Sequence, residues 1–319
     1  MVTGAFVEVA PPRPRGEAAP SAARPSPALR LVRAAPPYLY LAPGLVLLVV
    51  WTYWPLTQTF YLSFHSWNLV PTSPMTPVGT DNYERLLTTP ALADSVGRTF
   101  QVILGLLPFT VVVPLVVNLL ARGVGGRMGA VYRGVVFAPM LVAPVAGAAA
   151  WMFLLDPGAG MVNAVLGTDV NWLNSTATAQ WAIIVITGWH LVGFAVLVVA
   201  AGLAGIDSEY TAAARVDGAS PGQITRWITL PLLSPTLAFL ALMTVLLSAQ
   251  WTFPLIDTLT QGGPAGSTTT IHYLLWEYGF RSHDAGLTAA AGMIFFVGFM
   301  LPAIPLARLA DRTTREEGR

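Results

Sequence analysis

Six stretches of this chain, at about residues 38–64, 98–121, 132–155, 180–204, 229–253 and 286–308, carry no Asp, Glu, Arg or Lys in their apolar interiors. A helix rises 1.5 Å per residue and the hydrocarbon core of a bilayer is about 30 Å thick, so roughly twenty apolar residues cross it. Backbone placed in lipid must satisfy its own N–H and C=O groups, and over segments of this length the helix does so. The expected fold is therefore all-α and polytopic, with six transmembrane helices. Composition agrees: only 10% of the 319 residues are charged, against roughly 25% in a soluble domain.

Arginine orients the spans. All 17 basic residues are Arg. Arg13, Arg15, Arg24, Arg30 and Arg33 precede the first span, and Arg122, Arg127 and Arg133 lie between the second and third. Arg215 and Arg226 fall in the loop at 205–228, and Arg308, Arg312, Arg315 and Arg319 close the chain. Only Arg85, Arg98 and Arg281 fall on the opposite side, so the positive-inside rule makes the larger group, and with it both termini, cytoplasmic. Residues 1–37, rich in Pro and Ala without apolar periodicity, are expected to be a disordered cytoplasmic tail. Residues 38–308 form the transmembrane domain and 309–319 a second cytoplasmic tail. No short apolar core with a cleavage site precedes residue 38, so the first span is expected to be an uncleaved anchor.

Several chemistries are excluded. The chain has no Cys, hence no disulfide, iron–sulfur cluster or thiolate metal site. It has no phosphate-cradling glycine loop ending in Lys-Ser/Thr, no HExxH and no GxSxG, so no catalytic residue and no metal ligand is assigned and no enzyme is expected. An ion-coupled secondary transporter or channel is a further alternative. Such proteins place ionisable groups at mid-membrane, and here His190 is the one available. Prolines at 43, 55, 108, 114, 139, 144, 231, 235 and 302 lie in or at the ends of the spans. Each removes a backbone donor and invites a kink, which lipid tolerates where neighbouring helices or a water-lined cavity satisfy the freed carbonyls. A bundle around a translocation path meets that need, and irregular packing without a path is the alternative.

The segment Ile206 to Pro235, IDSEYTAAARVDGASPGQITRWITLPLLSP, is the most informative. Ser208 is expected to cap a short helix with Glu209 in its first turn, and Gly218 stands where a left-handed C-terminal cap belongs. Ser220, Pro221 and Gln223 spell a capping box for a second short helix. Asp217 goes against the pattern, because a carboxylate at a helix C-terminus opposes the dipole. That points to a side-chain partner or a functional contact. Small residues at Ala212, Ala213 and Ala214 beside a charged end suit a groove on another protein better than a lipid surface.

This segment resembles the coupling loop, often called the EAA loop, of permeases of binding-protein-dependent ABC importers of the carbohydrate type. Ala213, Ala214, Asp217, Gly218, Leu230 and Pro231 match its motif; Ala212 stands where the family usually has Glu, and Glu209, about one turn earlier, is the candidate substitute. Further resemblance lies in Tyr53–Phe64, in Val78–Leu87 and in Asp156–Leu173, with Asp156, Pro157, Gly160, Asn163, Trp172 and Leu173 in place. The resemblance implies a type I ABC importer permease bundle in a bacterial cell inner membrane, surrounded by lipid. It implies a second permease, two ATPase subunits that bind the ATP and Mg, and an extracytoplasmic solute-binding protein. No cofactor in this chain and no nucleic-acid partner is expected. Glu209, Ala213, Ala214, Asp217, Gly218 and Ala219 become the expected coupling residues.

For the solute, the Gly262-Gly263-Pro264 turn in the stretch Phe253–Phe280 resembles sugar permeases broadly, while Ile256-Asp257, Thr268-Thr269-Thr270, Tyr273 and Gly279-Phe280 are most similar to permeases of glycerol-3-phosphate importers. Glycerol-3-phosphate or a glycerophosphodiester is the expected cargo, with a sugar or oligosaccharide as the alternative. Trp189 and His190 on the fourth span, and Gln250 and Trp251 on the fifth, are the candidate path residues. Aromatic faces stack on sugar C–H surfaces while amide or imidazole groups bond hydroxyls. The same four side chains would equally serve as packing between helices.

Overall fold

The computed structural model describes residues 40–121, 126–298 and 300. The tails expected at 1–37 and 309–319, and the end of the sixth apolar stretch, lie outside the described residues. The chain divides into two units, up to Thr57 and from Gln58 onward. Helix α1 spans Tyr40–Leu62, α3 Pro90–Leu120, α7 Ala179–Ala204 and α9 Pro221–Leu259, and these four are long and apolar enough to cross a bilayer. Between them lie α2 (Asp81–Thr88), α4 (Arg127–Leu141), α5 (Pro144–Leu154), α6 (Met161–Leu166) and α8 (Ser208–Val216). Helices α10 (Ile271–Trp276) and α11 (Ala285–Gly298) follow α9. A two-stranded antiparallel pair, β1 (His65–Ser66) with β2 (Thr76–Pro77), completes the described elements.

The proline positions are handled in two ways. Before Pro55, Pro114 and Pro231 the helix widens by one residue: the N–H groups of Trp54, Val113 and Leu230 donate to the carbonyls of Val49, Pro108 and Thr225, five residues back. Proline has no N–H and its ring crowds the carbonyl four residues earlier, so a widened turn just before it lets the helix continue. Pro144 acts differently. Val142 and Ala143 are extended, with ψ of 126° and 135°, as the residue before a proline prefers, and α4 and α5 meet at 96°. The third apolar stretch, expected as one helix over 132–155, is thus a broken pair. Counted as one span, it brings the membrane-crossing segments among the described residues to five. Helix α11 is shorter than a full span within the described residues.

Helix α7 is the mast of the second unit. Two-thirds of its apolar window is buried, against about a fifth for α3 and α9. Two glycines allow the close approach: the ring of Phe109 on α3 occupies the space a Cβ at Gly188 would need, and at Gly193 the backbone of Val136 and Phe137 on α4 does the same. Buried hydroxyls and amides tie the helices where no water competes. Thr110 on α3 and Thr244 on α9 are 2.7 Å apart, and Asn118 Nδ2 donates to the Val196 carbonyl at 3.0 Å. Such bonds are worth about 0.6 kcal/mol each in a bilayer.

Short elements between the long helices are stitched by side chains that satisfy backbone. Asn82 donates to the carbonyls of Ser63 and His65, and Tyr83 Oη donates to Ser63 Oγ at 2.7 Å. Arg85 pairs with Asp284 at 3.4 Å. Asn163 is a second knot: its amide nitrogen donates to Pro157 O and Val170 O, while its Oδ1 accepts from Thr168 Oγ1 and from Trp172 Nε1 at 2.8 Å.

Candidate functional site

Two groups of sequence-predicted residues are set in this frame. The first is the loop between α7 and α9. Helix α8 carries no buried residue. Its N-cap is Asp207, whose Oδ1 accepts from Glu209 N at 2.9 Å, one residue earlier than the expected Ser208. Both residue types cap well, and Asp207 has the extended backbone a cap requires. The C-terminus closes as a Schellman motif: Ala219 N donates to Ala214 O at 2.9 Å, Gly218 N donates to Arg215 O at 3.1 Å, and Gly218 has φ of +80°. Asp217 ends the helix, exposed, and its carboxylate has no hydrogen-bond or ion-pair partner among the described residues.

The capping box is present. Ser220 N donates to Gln223 Oε1 at 2.7 Å and Gln223 N donates to Ser220 Oγ at 3.4 Å, with Pro221 at the first helical position. The second helix is not short, however. The widened turn at Thr225–Thr229 carries it past Pro231, so Pro221–Leu259 is one continuous helix. Glu209, Ala213, Ala214, Asp217, Gly218 and Ala219 lie exposed or half-exposed along α8 and the short link that joins it to α9.

The second group lies in the bundle. His190 is fully buried, its ring 4.8 Å from that of Trp189 and 5.3 Å from that of Trp251. Trp151 on α5, which the sequence reading missed, meets Trp189 edge to face at 5.6 Å. His190 Nδ1 lies 3.0 Å from the Ile186 carbonyl and donates to it, while Nε2 is buried without a partner among the described residues. The structure brings Trp189, His190 and Trp251 together and leaves Gln250 exposed outside the cluster. Successive helical residues point about 100° apart, so Gln250 and Trp251 cannot both face α7. The signal for Trp151 was present in the small residues of Gly147-Ala148-Ala149-Ala150, which allow α5 to lie close against a neighbour.

Outside the spans, His272 packs edge to face on Phe295 at 4.8 Å, and burial holds its pKa below the ordinary histidine value. Tyr273 is buried, which pushes its phenol pKa up, and the guanidinium of Arg281 lies 5.9 Å from its ring. No group of three or more metal-ligating side chains occurs among the described residues.

The family described as binding-protein-dependent transport system inner membrane component matches residues 90–316. The sn-glycerol-3-phosphate transport system permease protein UgpA of Shigella flexneri is 31% identical over 269 residues, covering 81% of this chain and 88% of that protein. The same-named protein of Pectobacterium atrosepticum is 29% identical, covering 82% and 89%. A probable ABC transporter permease of Pyrococcus horikoshii is 28% identical, covering 85% and 97%. Among solved structures, a bacterial ABC transporter involved in the import of the acidic polysaccharide alginate superposes with a TM-score of 0.73 at 22% identity, over 89% of this chain and 97% of that one. The chain thus belongs to the binding-protein-dependent transport system inner membrane components, the permease subunits of ABC importers.

Proposed function

We propose that this chain forms half of the translocation path of an ATP-driven importer and couples it, through α8 and the Gly218 corner, to an ATPase subunit that binds the ATP and Mg. The observation that carries the reading is a helix with no buried residue, closed by its own caps and joined by a four-residue link to a span. In this reading the α4/α5 pair is one broken span, α11 begins a sixth, and both termini are cytoplasmic. A second six-span permease completes the path, a second ATPase subunit docks on that partner, and an extracytoplasmic binding protein delivers the solute.

Glycerol-3-phosphate or a related glycerophosphodiester is the proposed solute, supported by UgpA relatives at about 30% identity over four-fifths of the chain. A second reading, an oligosaccharide, is favoured by the rings of Trp151, Trp189 and Trp251 around His190, a set suited to sugar faces and hydroxyls. In either case the path opens by separating α5 from α7, which presents the unpartnered Nε2 of His190 to the cargo. The test is uptake in proteoliposomes assembled with the partner permease, ATPase subunits and binding protein. ATP-dependent uptake of labelled glycerol-3-phosphate, resisted by excess glycerophosphodiester but not by disaccharide, is the expected result. Uptake competed only by oligosaccharides transfers the assignment to the second reading, and robust uptake by this chain alone contradicts the importer assignment.

A further inference from the structure

Helix α5 begins inside the membrane without a cap. His190 is the twelfth of the 26 residues of α7, near the middle of that span, and Gly147 in the opening turn of α5 lies against its ring, so α5 starts at the same depth. Pro144 has no N–H, and the N–H groups of Val145 and Ala146 have no hydrogen-bond partner among the described residues. The cap position holds Ala143, whose methyl accepts nothing, where Ser, Thr, Asp or Asn ordinarily serves. Donors left open in hydrocarbon are costly, and irregular backbone persists at membrane depth where it lines a cavity or meets another group. The break is open toward the outer face of the chain, with Leu141 75% exposed.

A second open polar atom stands at the same place. Nε2 of His190 is fully buried and has no partner among the described residues. A Cβ at residue 147 would lie 2.8 Å from it and 3.7 Å from Cγ1 of Val142, so Nε2 sits where the first turn of α5 meets the break. Because Nδ1 holds its proton against the Ile186 carbonyl, Nε2 carries a lone pair and accepts. The two features take different groups: open amides at the positive end of a helix take an oxyanion, and the imidazole lone pair takes a hydroxyl proton. An anion beside a hydroxyl is the chemistry of a phosphorylated polyol, whereas a neutral sugar brings no charge for the amides. Resting on the reading that this chain lines the path of a glycerol-3-phosphate or glycerophosphodiester importer, we infer that the start of α5 is the phosphate seat of that path. The N–H groups of Val145 and Ala146 donate to a phosphate oxygen, and a cargo hydroxyl donates to Nε2 of His190 once α5 and α7 part. A phosphate can then cross a bundle whose apolar interiors carry no Arg.

The experiment compares Ala143→Asp with Ala143→Asn in the transporter assembled with its partner permease, ATPase subunits and binding protein. Both side chains reach the open amides and cap helices about equally well, but only Asp brings an anion. Uptake of labelled glycerol-3-phosphate by Ala143→Asp should fall about tenfold or more below that of Ala143→Asn, since a carboxylate in the seat repels the phosphate. Its melting temperature should stay at or above that of Ala143→Asn, because the amides hold the carboxylate. Equal uptake by the two variants overturns the inference. So does a lower melting temperature for Ala143→Asp, which would show that the amides do not hold an anion. His190→Phe keeps a ring without the acceptor and should raise the KM for glycerol-3-phosphate, and an unchanged KM contradicts the hydroxyl contact. Wild-type uptake of a disaccharide but not of glycerol-3-phosphate would instead remove the solute reading on which the inference rests.

Discussion

The imidazole of His190 on α7 lies directly against Gly147 on α5: a Cβ added at residue 147 would stand 2.8 Å from Nε2 and 2.9 Å from Cε1. The absent side chain is what lets the two helices meet through the ring. Gly147→Ala is therefore expected to push the ring out of its slot, at a cost of about 1–3 kcal/mol, as overpacking typically does. A lowered melting temperature of the purified protein, with reduced uptake in the assembled transporter, is the expected pair of results. Unchanged stability and uptake would mean that α5 and α7 are not held together there.

Asn163 should matter for stability more than for chemistry. Its amide closes the Asp156–Leu173 stretch through Pro157, Thr168, Val170 and Trp172. Asn163→Leu takes this partner from the half-buried indole N–H of Trp172 and from the carbonyls of Pro157 and Val170, a loss of about 1–2 kcal/mol. Thermal unfolding monitored by tryptophan fluorescence should show the shift, and a melting temperature equal to wild type would contradict it.

Orientation is open to a direct check, since the chain has no native Cys. Cysteines placed at Ser175 and at Ser220 should respond differently to an impermeant thiol reagent on intact cells. Labelling at 175 alone is expected from the arginine distribution, and labelling at 220 alone would invert the topology.

His272 provides a pH dependence with a definite sign. Burial lowers its pKa in the folded protein from the ordinary 6.5, so the unfolded chain takes up a proton first as pH falls. Stability from this group is complete above about pH 6.5 and is lost as pH drops from there through the lower folded-state value. In His272→Phe, the fall in melting temperature over that window should be shallower than in wild type. An identical pH profile would show that the ring carries its charge without penalty.

The residues around 206–224 were the most legible in the sequence because their structure is local. A capping box and a left-handed glycine are decided by chemistry within a few residues, and Ser220, Gln223 and Gly218 adopt the expected roles. The one-residue shift of the cap to Asp207 is the kind of ambiguity two adjacent capping residues create. Prolines were less legible, since Pro114 and Pro231 are absorbed by a widened turn while Pro144 starts a new helix after a break. Around Pro144 the chain tightens instead, with Val142 N donating to Pro139 O three residues back. Contacts set by the rotation and pairing of helices, such as Trp151 with Trp189 or the exclusion of Gln250, depend on tertiary geometry that no window of sequence contains.

The most direct test of the coupling account is Gly218→Val in the assembled complex. An added Cβ at 218 meets nothing within 4 Å, so the substitution acts only through the φ of +80°, which costs a β-branched residue on the order of 1–2 kcal/mol. Gly218→Asn, which tolerates the left-handed region better, serves as the control. ATP hydrolysis stimulated by the loaded binding protein is the quantity to measure, with a pull-down of the ATPase subunit alongside. The account predicts that Gly218→Val inserts normally yet loses most of the stimulated hydrolysis, and that Gly218→Asn retains more of it. Wild-type stimulated hydrolysis and uptake in Gly218→Val would show that this corner does not carry the motion between ATPase and bundle.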